Sequence, residues 1–109
     1  MTCKEAITLA SAVRPHAIED KLMLHFLSEL EGRIAVEIRH EMPGEASAVR
    51  GMGQKLSVPT PFDRVYWTYL VAMIDLSVAD ASAYKTSMSL FKEAYRAYAA
   101  YYQRTGGAG

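Results

Sequence analysis

Four places in this sequence have residue types at spacings that chemistry would need. Glu37-Ile38-Arg39-His40 is a Glu-x-x-His segment, the spacing that carboxylate-bridged di-iron bundles use. Such a centre takes a second segment of the same kind plus further inward glutamates, and the chain offers neither. Glu37 and His40 are therefore expected as solvated groups on the polar face of a helix, with no metal dependence. Cys3 falls in the first turn of a helix, where the dipole lowers a thiol pKa. It sits beside the chain start, in a stretch expected to be mobile, without a visible base or orienting group. Gly51-Met52-Gly53 lacks the third glycine and the Gly-Lys-Ser/Thr of a phosphate loop. Tyr84, Tyr95, Tyr98, Tyr101 and Tyr102 recur at helical spacing and have faces on which nucleobases could stack. Tyrosine at that spacing more often packs in a core or subunit interface, burying its ring and keeping its hydroxyl near water. Tyr101 and Tyr102 are adjacent and cannot both face one core, so one of them should meet solvent or another chain. No acid, base and nucleophile converge, so the expectation is a protein that is not an enzyme and holds no cofactor.

The elements that position these residues follow from hydrophobic spacing. All seven tyrosines and the only tryptophan lie between Thr60 and Arg104. Thr60 has the type of an N-cap, Pro61 suits the first helical position, and Asp63 stands three residues after the cap. Phe62, Tyr66, Tyr69, Leu70 and Met73 then recur at threes and fours. A second pattern runs through Tyr84, Met88, Phe91, Tyr95, Tyr98 and Tyr102, with Asp80 placed to cap it. An antiparallel helical pair is predicted. Upstream, Thr2 and Glu5 have capping-box spacing for a short helix from Cys3 to about Val13, with the stripe Ala6, Ile7, Leu9, Ala10 and Val13. Pro15 ends it. A longer helix is expected from Ala17 to His40 or Glu41, its stripe formed by Ile18, Leu22, Phe26, Leu30, Ile34 and Ile38, with Met23, Leu27 and Ala35 widening it. Gly32 interrupts that pattern, and a close approach by another helix would explain it.

Residues 42–59 break the rhythm with Pro43, Gly44, Gly51, Gly53 and Pro59, which predicts a mobile loop. A small hairpin pairing Ala48 to Met52 with Leu56 to Val58 is a further expectation. The terminal residues 106–109 should be a disordered tail. The predicted fold is an all-α, four-helix single domain over residues 1–105.

At 109 residues the chain has one core to build, and half of its residues are hydrophobic. Twelve basic and twelve acidic side chains cancel, which argues against a protein whose main task is coating nucleic acid. The single cysteine cannot make an internal disulfide, as suits a reducing compartment. No apolar run approaches the length of a bilayer span, and no signal-peptide pattern opens the chain. A cytoplasmic site of synthesis is expected.

The stretch Pro61-Phe62-Asp63-x-x-Tyr66-x-x-Tyr69-Leu70-x-Ala72-Met73-Ile74-Asp75 resembles a family of small proteins encoded among the head genes of tailed bacteriophages and prophages. The likeness continues through Asp80, Tyr84, Ser87, Leu90-Phe91, Ala94-Tyr95 and Tyr102-x-Arg104. It also covers Glu5-Ala6-Ile7 and the run from Phe26 to Ile34. Lys85-Thr86 stands where the family often has an Asn pair, and Ala81 replaces an aromatic. The layout is similar to head–tail connector (adaptor) proteins. That resemblance implies a virion component made in the host cytoplasm, a homo-oligomeric ring on the portal protein that meets tail-completion proteins. DNA would pass through the ring without sequence-specific contact, and no membrane is involved. Tyr98, Tyr101, Tyr102 and Arg104 are expected to touch a neighbouring subunit or the portal, with Arg50 and Lys55 as polar rim contacts. The alternative is a small helical binding module, a DNA- or protein-binding regulator. Its sequence support is Lys85, Lys92 and Arg96 near one helix face, diluted by Glu93.

Overall fold

Thr2 begins the first helix by the expected capping box. Its hydroxyl accepts the Glu5 amide at 3.2 Å, and the Glu5 carboxylate accepts the Thr2 amide at 2.9 Å. The computed structural model describes residues 1–43 and 49–106. It contains four helices: α1 (Cys3–Val13), α2 (Asp20–Glu37), α3 (Arg64–Ser77) and α4 (Ala81–Thr105). Among the described residues there is no strand, and the protein is a small all-α four-helix domain.

α3 is the centre of the molecule, and each of the other three helices packs against it. Its composition explains this. Val65, Tyr66, Thr68, Leu70, Val71, Ala72, Ile74 and Asp75 are all buried, covering more than one helical face. A helix so apolar around its circumference belongs inside rather than on a surface. α4 runs antiparallel along it, as predicted. Phe91 packs on Tyr69 with ring centroids 5.0 Å apart, and Tyr101 packs on Phe62 at 4.6 Å. α1 lies parallel to α3: the Met1 amino group is 4.0 Å from Asp63, and Arg14 meets Asp75 at the far end.

Several boundaries shift. α3 starts at Arg64 rather than at Thr60, because residues 60–63 form a turn in which the Thr60 hydroxyl donates to the Asp63 carboxylate. The Thr60–Pro61 peptide bond is cis. α2 begins three residues later than expected and ends at Glu37, with His40 in the left-handed region at φ 59°. Its core face is the expected one except near its start and at Glu31. Met23, Leu27, Leu30, Glu31, Ile34 and Ala35 are buried, whereas Leu22 is exposed and Phe26 half-buried. A strict repeat of four residues drifts around a helix of 3.6 residues per turn, so Ile18, Leu22 and Phe26 at its start lie off the core direction that Leu30, Ile34 and Ile38 face together with Met23, Leu27 and Ala35. No neighbour lies within 4 Å of a Cβ built on Gly32, so no close helix approach explains that glycine.

The predicted hairpin does not form among the described residues. Residues 51–58 instead run antiparallel to the chain start, bridging Thr2 and Lys55. The Cys3 and Lys4 amides donate to the carbonyls of Gln54 (2.9 Å) and Met52 (2.8 Å), and the Leu56 amide donates to the Met1 carbonyl (2.9 Å). The first two bonds satisfy first-turn amides of α1 that no intrahelical carbonyl can reach. Leu56 and Val58 are buried in the core. This half of the expected loop is thus packed, because it carries the caps of α1. Residues 44–48 of that loop, and 107–109 of the expected tail, lie outside the described residues.

The turn from α3 to α4 closes in a Schellman arrangement. The Ala79 amide donates to the Leu76 carbonyl (3.0 Å), and the Asp80 amide to that of Asp75 (3.1 Å). Ala79 takes the left-handed position at φ 57°, where glycine is usual. Asp80 then caps α4 through the Ala83 amide at 3.0 Å, as predicted.

Candidate functional site

The candidate residues do not converge on one centre. Cys3 is wholly buried, and its amide donates to the Gln54 carbonyl. Burial pushes its thiol above the usual range, aided by the negative charge of Glu31, and this disfavours the reactive thiolate. Glu37 and His40 do not share a helix, since α2 ends at Glu37. Glu37 accepts from Arg33 Nε at 2.9 Å and from the Tyr95 hydroxyl. Among the described residues, no three histidine, cysteine, aspartate or glutamate side chains cluster as a metal site would require. His16 serves the α1–α2 link: its Nδ1 accepts the Ile18 amide and its Nε2 meets the Ser11 hydroxyl. His25 pairs with Glu29 one turn on, at 3.4 Å.

Two buried carboxylates form polar networks that the sequence reading missed. Glu31 lies on the core face of α2 and accepts three hydrogen bonds: the Ser57 amide and hydroxyl, each at 3.0 Å, and the Tyr66 hydroxyl at 2.5 Å. The Tyr66 oxygen in turn accepts the Val58 amide at 2.8 Å. Burial and the Glu31 charge raise the Tyr66 phenol far above its ordinary range, so it remains a donor. The unit joins α2, α3 and the packed 51–58 segment. At the opposite end, Asp75 is 1% exposed and accepts the Ser87 hydroxyl from α4 at 2.5 Å. Arg14 Nε lies 2.8 Å from the same carboxylate, off the hydrogen-bond axis, while Nη2 donates to it at 3.4 Å. The available signal was a carboxylate in register with an apolar stripe. Glu31 stands four residues after Leu27, and Asp75 four after Val71.

A third network lies at the surface between α2 and α4. The Arg33 guanidinium sits 4.8 Å from the Tyr95 ring centroid and 5.8 Å from that of Phe91, while holding Glu37. Hydrogen bonds from Tyr95 and Arg33 hold Glu37 below the usual carboxylate range. Burial, then the bond to Glu37, pushes Tyr95 up to about 12. The two shifts have opposite consequences. Glu37 contributes stability above its unfolded pKa, and that contribution is lost as pH falls through the lower folded value. Tyr95 contributes below about pH 10, and its share is lost as pH rises towards 12. Glu37 is half exposed, so its part should be well under about 1 kcal/mol. Urea midpoints measured from pH 9 to 12 should fall less steeply for Tyr95→Phe than for the unaltered protein. An unchanged slope would show that Tyr95 does not carry the alkaline loss.

The expected contact residues separate. Tyr98 is 3% exposed and packs against Phe62, Tyr101 and Tyr102, with its hydroxyl accepting from Arg39 at 3.0 Å. It is a core residue, not an outward contact, because α4 turns that face onto Phe62, just ahead of α3, and Arg39, just past α2. Tyr101 and Tyr102 are half-buried beside it. Arg104 and Lys55 are exposed. Arg50 is exposed as well, beside the first half of α2, where it shares a groove with Glu19, Lys21 and Leu22. Eight large apolar side chains are exposed among the described residues, and three of them stand where α1 and α3 end. Val13, Leu76 and Val78 are 51%, 54% and 66% exposed, and the Arg14–Asp75 pair holds their two segments together. No protein-family model, curated protein or solved structure matches this chain. No helix among the described residues is long and apolar enough to cross a membrane.

Proposed function

We propose that this chain is a structural component of a tailed-phage or prophage virion, a head–tail connector that forms a ring on the portal and supports tail attachment. The observation that carries the reading is the outward apolar group Val13, Leu76 and Val78 at one end of the bundle. A ring subunit presents such surface to its neighbours, whereas an isolated small domain has little use for it. Two further features support it. The polar side chains with catalytic potential, Cys3, Glu31, Tyr66 and Asp75, are buried or bonded internally. The residues that carry the sequence resemblance, such as Tyr66, Leu70, Ile74, Asp75, Ser87 and Phe91, form the core and its polar ties, so the likeness speaks to one shared fold. Tyr101, Tyr102 and Arg104 would lie at the opposite end, available to the portal or tail.

Deleting the gene from a producing prophage should leave DNA-filled heads without tails, as seen by electron microscopy. Complementation with Leu76→Asp/Val78→Asp should fail to restore tails although the purified variant keeps its helix content. Tailed, infectious particles from the deletion strain would end the connector reading. Full complementation by the double variant would remove the apolar group from the assembly surface.

A further inference from the structure

The chain is neutral overall, yet its charge is unevenly placed. α4 carries Lys85, Lys92, Arg96 and Arg104 against the single acid Glu93, so the remaining residues hold the compensating negative excess. At 100° per residue, Lys85, Ser89, Lys92, Arg96 and Gln103 fall within about 40° of one line along the helix. All five are exposed, and no carboxylate pairs with those cations among the described residues. Glu93 does not dilute this line as the sequence suggested. It stands about 80° round from Lys85 and faces a separate recess with Arg64, Leu90 and Ala97, while Lys85, Ser89 and Lys92 share another.

We infer that this stripe of α4 is a contact surface for the phosphate backbone of duplex DNA. Apart from Ala81 and Ala99 at its edge, the side chains on the line are cations or neutral hydrogen-bond donors, which is the chemistry that phosphate oxygens accept. The cations follow one another at about 10 and 6 Å along a straight rod, and duplex DNA presents a charge every 1.7 Å or so of its axis. A membrane surface would require exposed apolar residues beside the cations, and a single strand would require exposed aromatic platforms. The stripe has neither, because Tyr84 and Met88 at its edge are half-buried. The inference does not rest on the virion reading, since a backbone contact would serve a ring that DNA threads and a regulator alike.

The test is a titration of a fluorescent duplex of about 30 base pairs by fluorescence anisotropy, over roughly 20–200 mM salt. Three neutralised phosphates give an expected log–log salt slope of about −2.7. Lys85→Gln/Lys92→Gln/Arg96→Gln should weaken binding by about tenfold or more at low salt and flatten the slope towards zero. Lys4→Gln/Lys21→Gln/Lys55→Gln changes the net charge equally on other surfaces and should keep the slope. No duplex binding at the lowest salt would overturn the inference, as would equal losses in the two triple variants. So would a stripe variant whose DNA binding is intact but whose self-association, read by sedimentation, is altered, because the face would then be a subunit contact. Tail joining and DNA titration are separate readouts, so either proposal can fail alone.

Discussion

Glu31→Ala should destabilise the fold by about 3 kcal/mol, a fall in melting temperature of roughly 12–20 °C for a domain of this size. The substitution removes one acceptor that serves three donors. The Ser57 groups can turn to water, because that residue is exposed. The Tyr66 hydroxyl cannot, since its residue is wholly buried. An orphaned buried donor bears its full desolvation penalty. The damage should also spread along the chain. Val58 donates to the same Tyr66 oxygen, and Leu56 and Val58 anchor the segment that caps α1. Hydrogen exchange at Leu56 and Val58 should therefore quicken more than at α4 amides such as Phe91. Glu31→Gln keeps an acceptor oxygen and should cost about 1 kcal/mol. A Glu31→Ala protein within about 1 kcal/mol of the parent would show that the network is not what holds the 51–58 segment.

Arg14→Gln should cost about 2–3 kcal/mol, and more than Asp75→Asn, at about 1 kcal/mol. The asymmetry comes from burial: the Arg14 side chain is 43% exposed and that of Asp75 only 1%. Removing the arginine charge strands a carboxylate inside the bundle with the Ser87 hydroxyl as its remaining close donor. Removing the aspartate charge frees an arginine that already reaches water, and the asparagine oxygen still accepts from Ser87. The double variant should resemble Asp75→Asn alone, because no buried charge is left to strand. Chemical denaturation of the three variants gives the coupling directly. Additive losses would mean that the two charges do not act as a pair.

How much of this was legible in the sequence differs from element to element. The capping box at Thr2 and Glu5 and the cap at Asp80 were readable, because each is a contact between residues three apart. The α3–α4 pair was readable too, from apolar spacing on either side of a short polar link. Cys3 was misjudged because its burial depends on Gln54 and Leu56, about fifty positions away, and chain position alone suggested fraying. Tyr98 was misjudged because periodicity gives a face but not the partner that covers it.

The sequence by itself determined the all-α class, four helices, and the side-chain caps of α1 and α4. All of these follow from backbone sterics and contacts within one or two helical turns. Tertiary structure alone decided that α3 is the central helix, that Glu31 and Asp75 point inward, and that residues 51–58 join the start of α1. Those outcomes depend on which faces meet, and the meeting residues, Arg14 with Asp75 or Glu31 with Tyr66, lie 61 and 35 positions apart. Local propensity has no reach over such distances, and a carboxylate can be buried only where donors from other segments come to meet it.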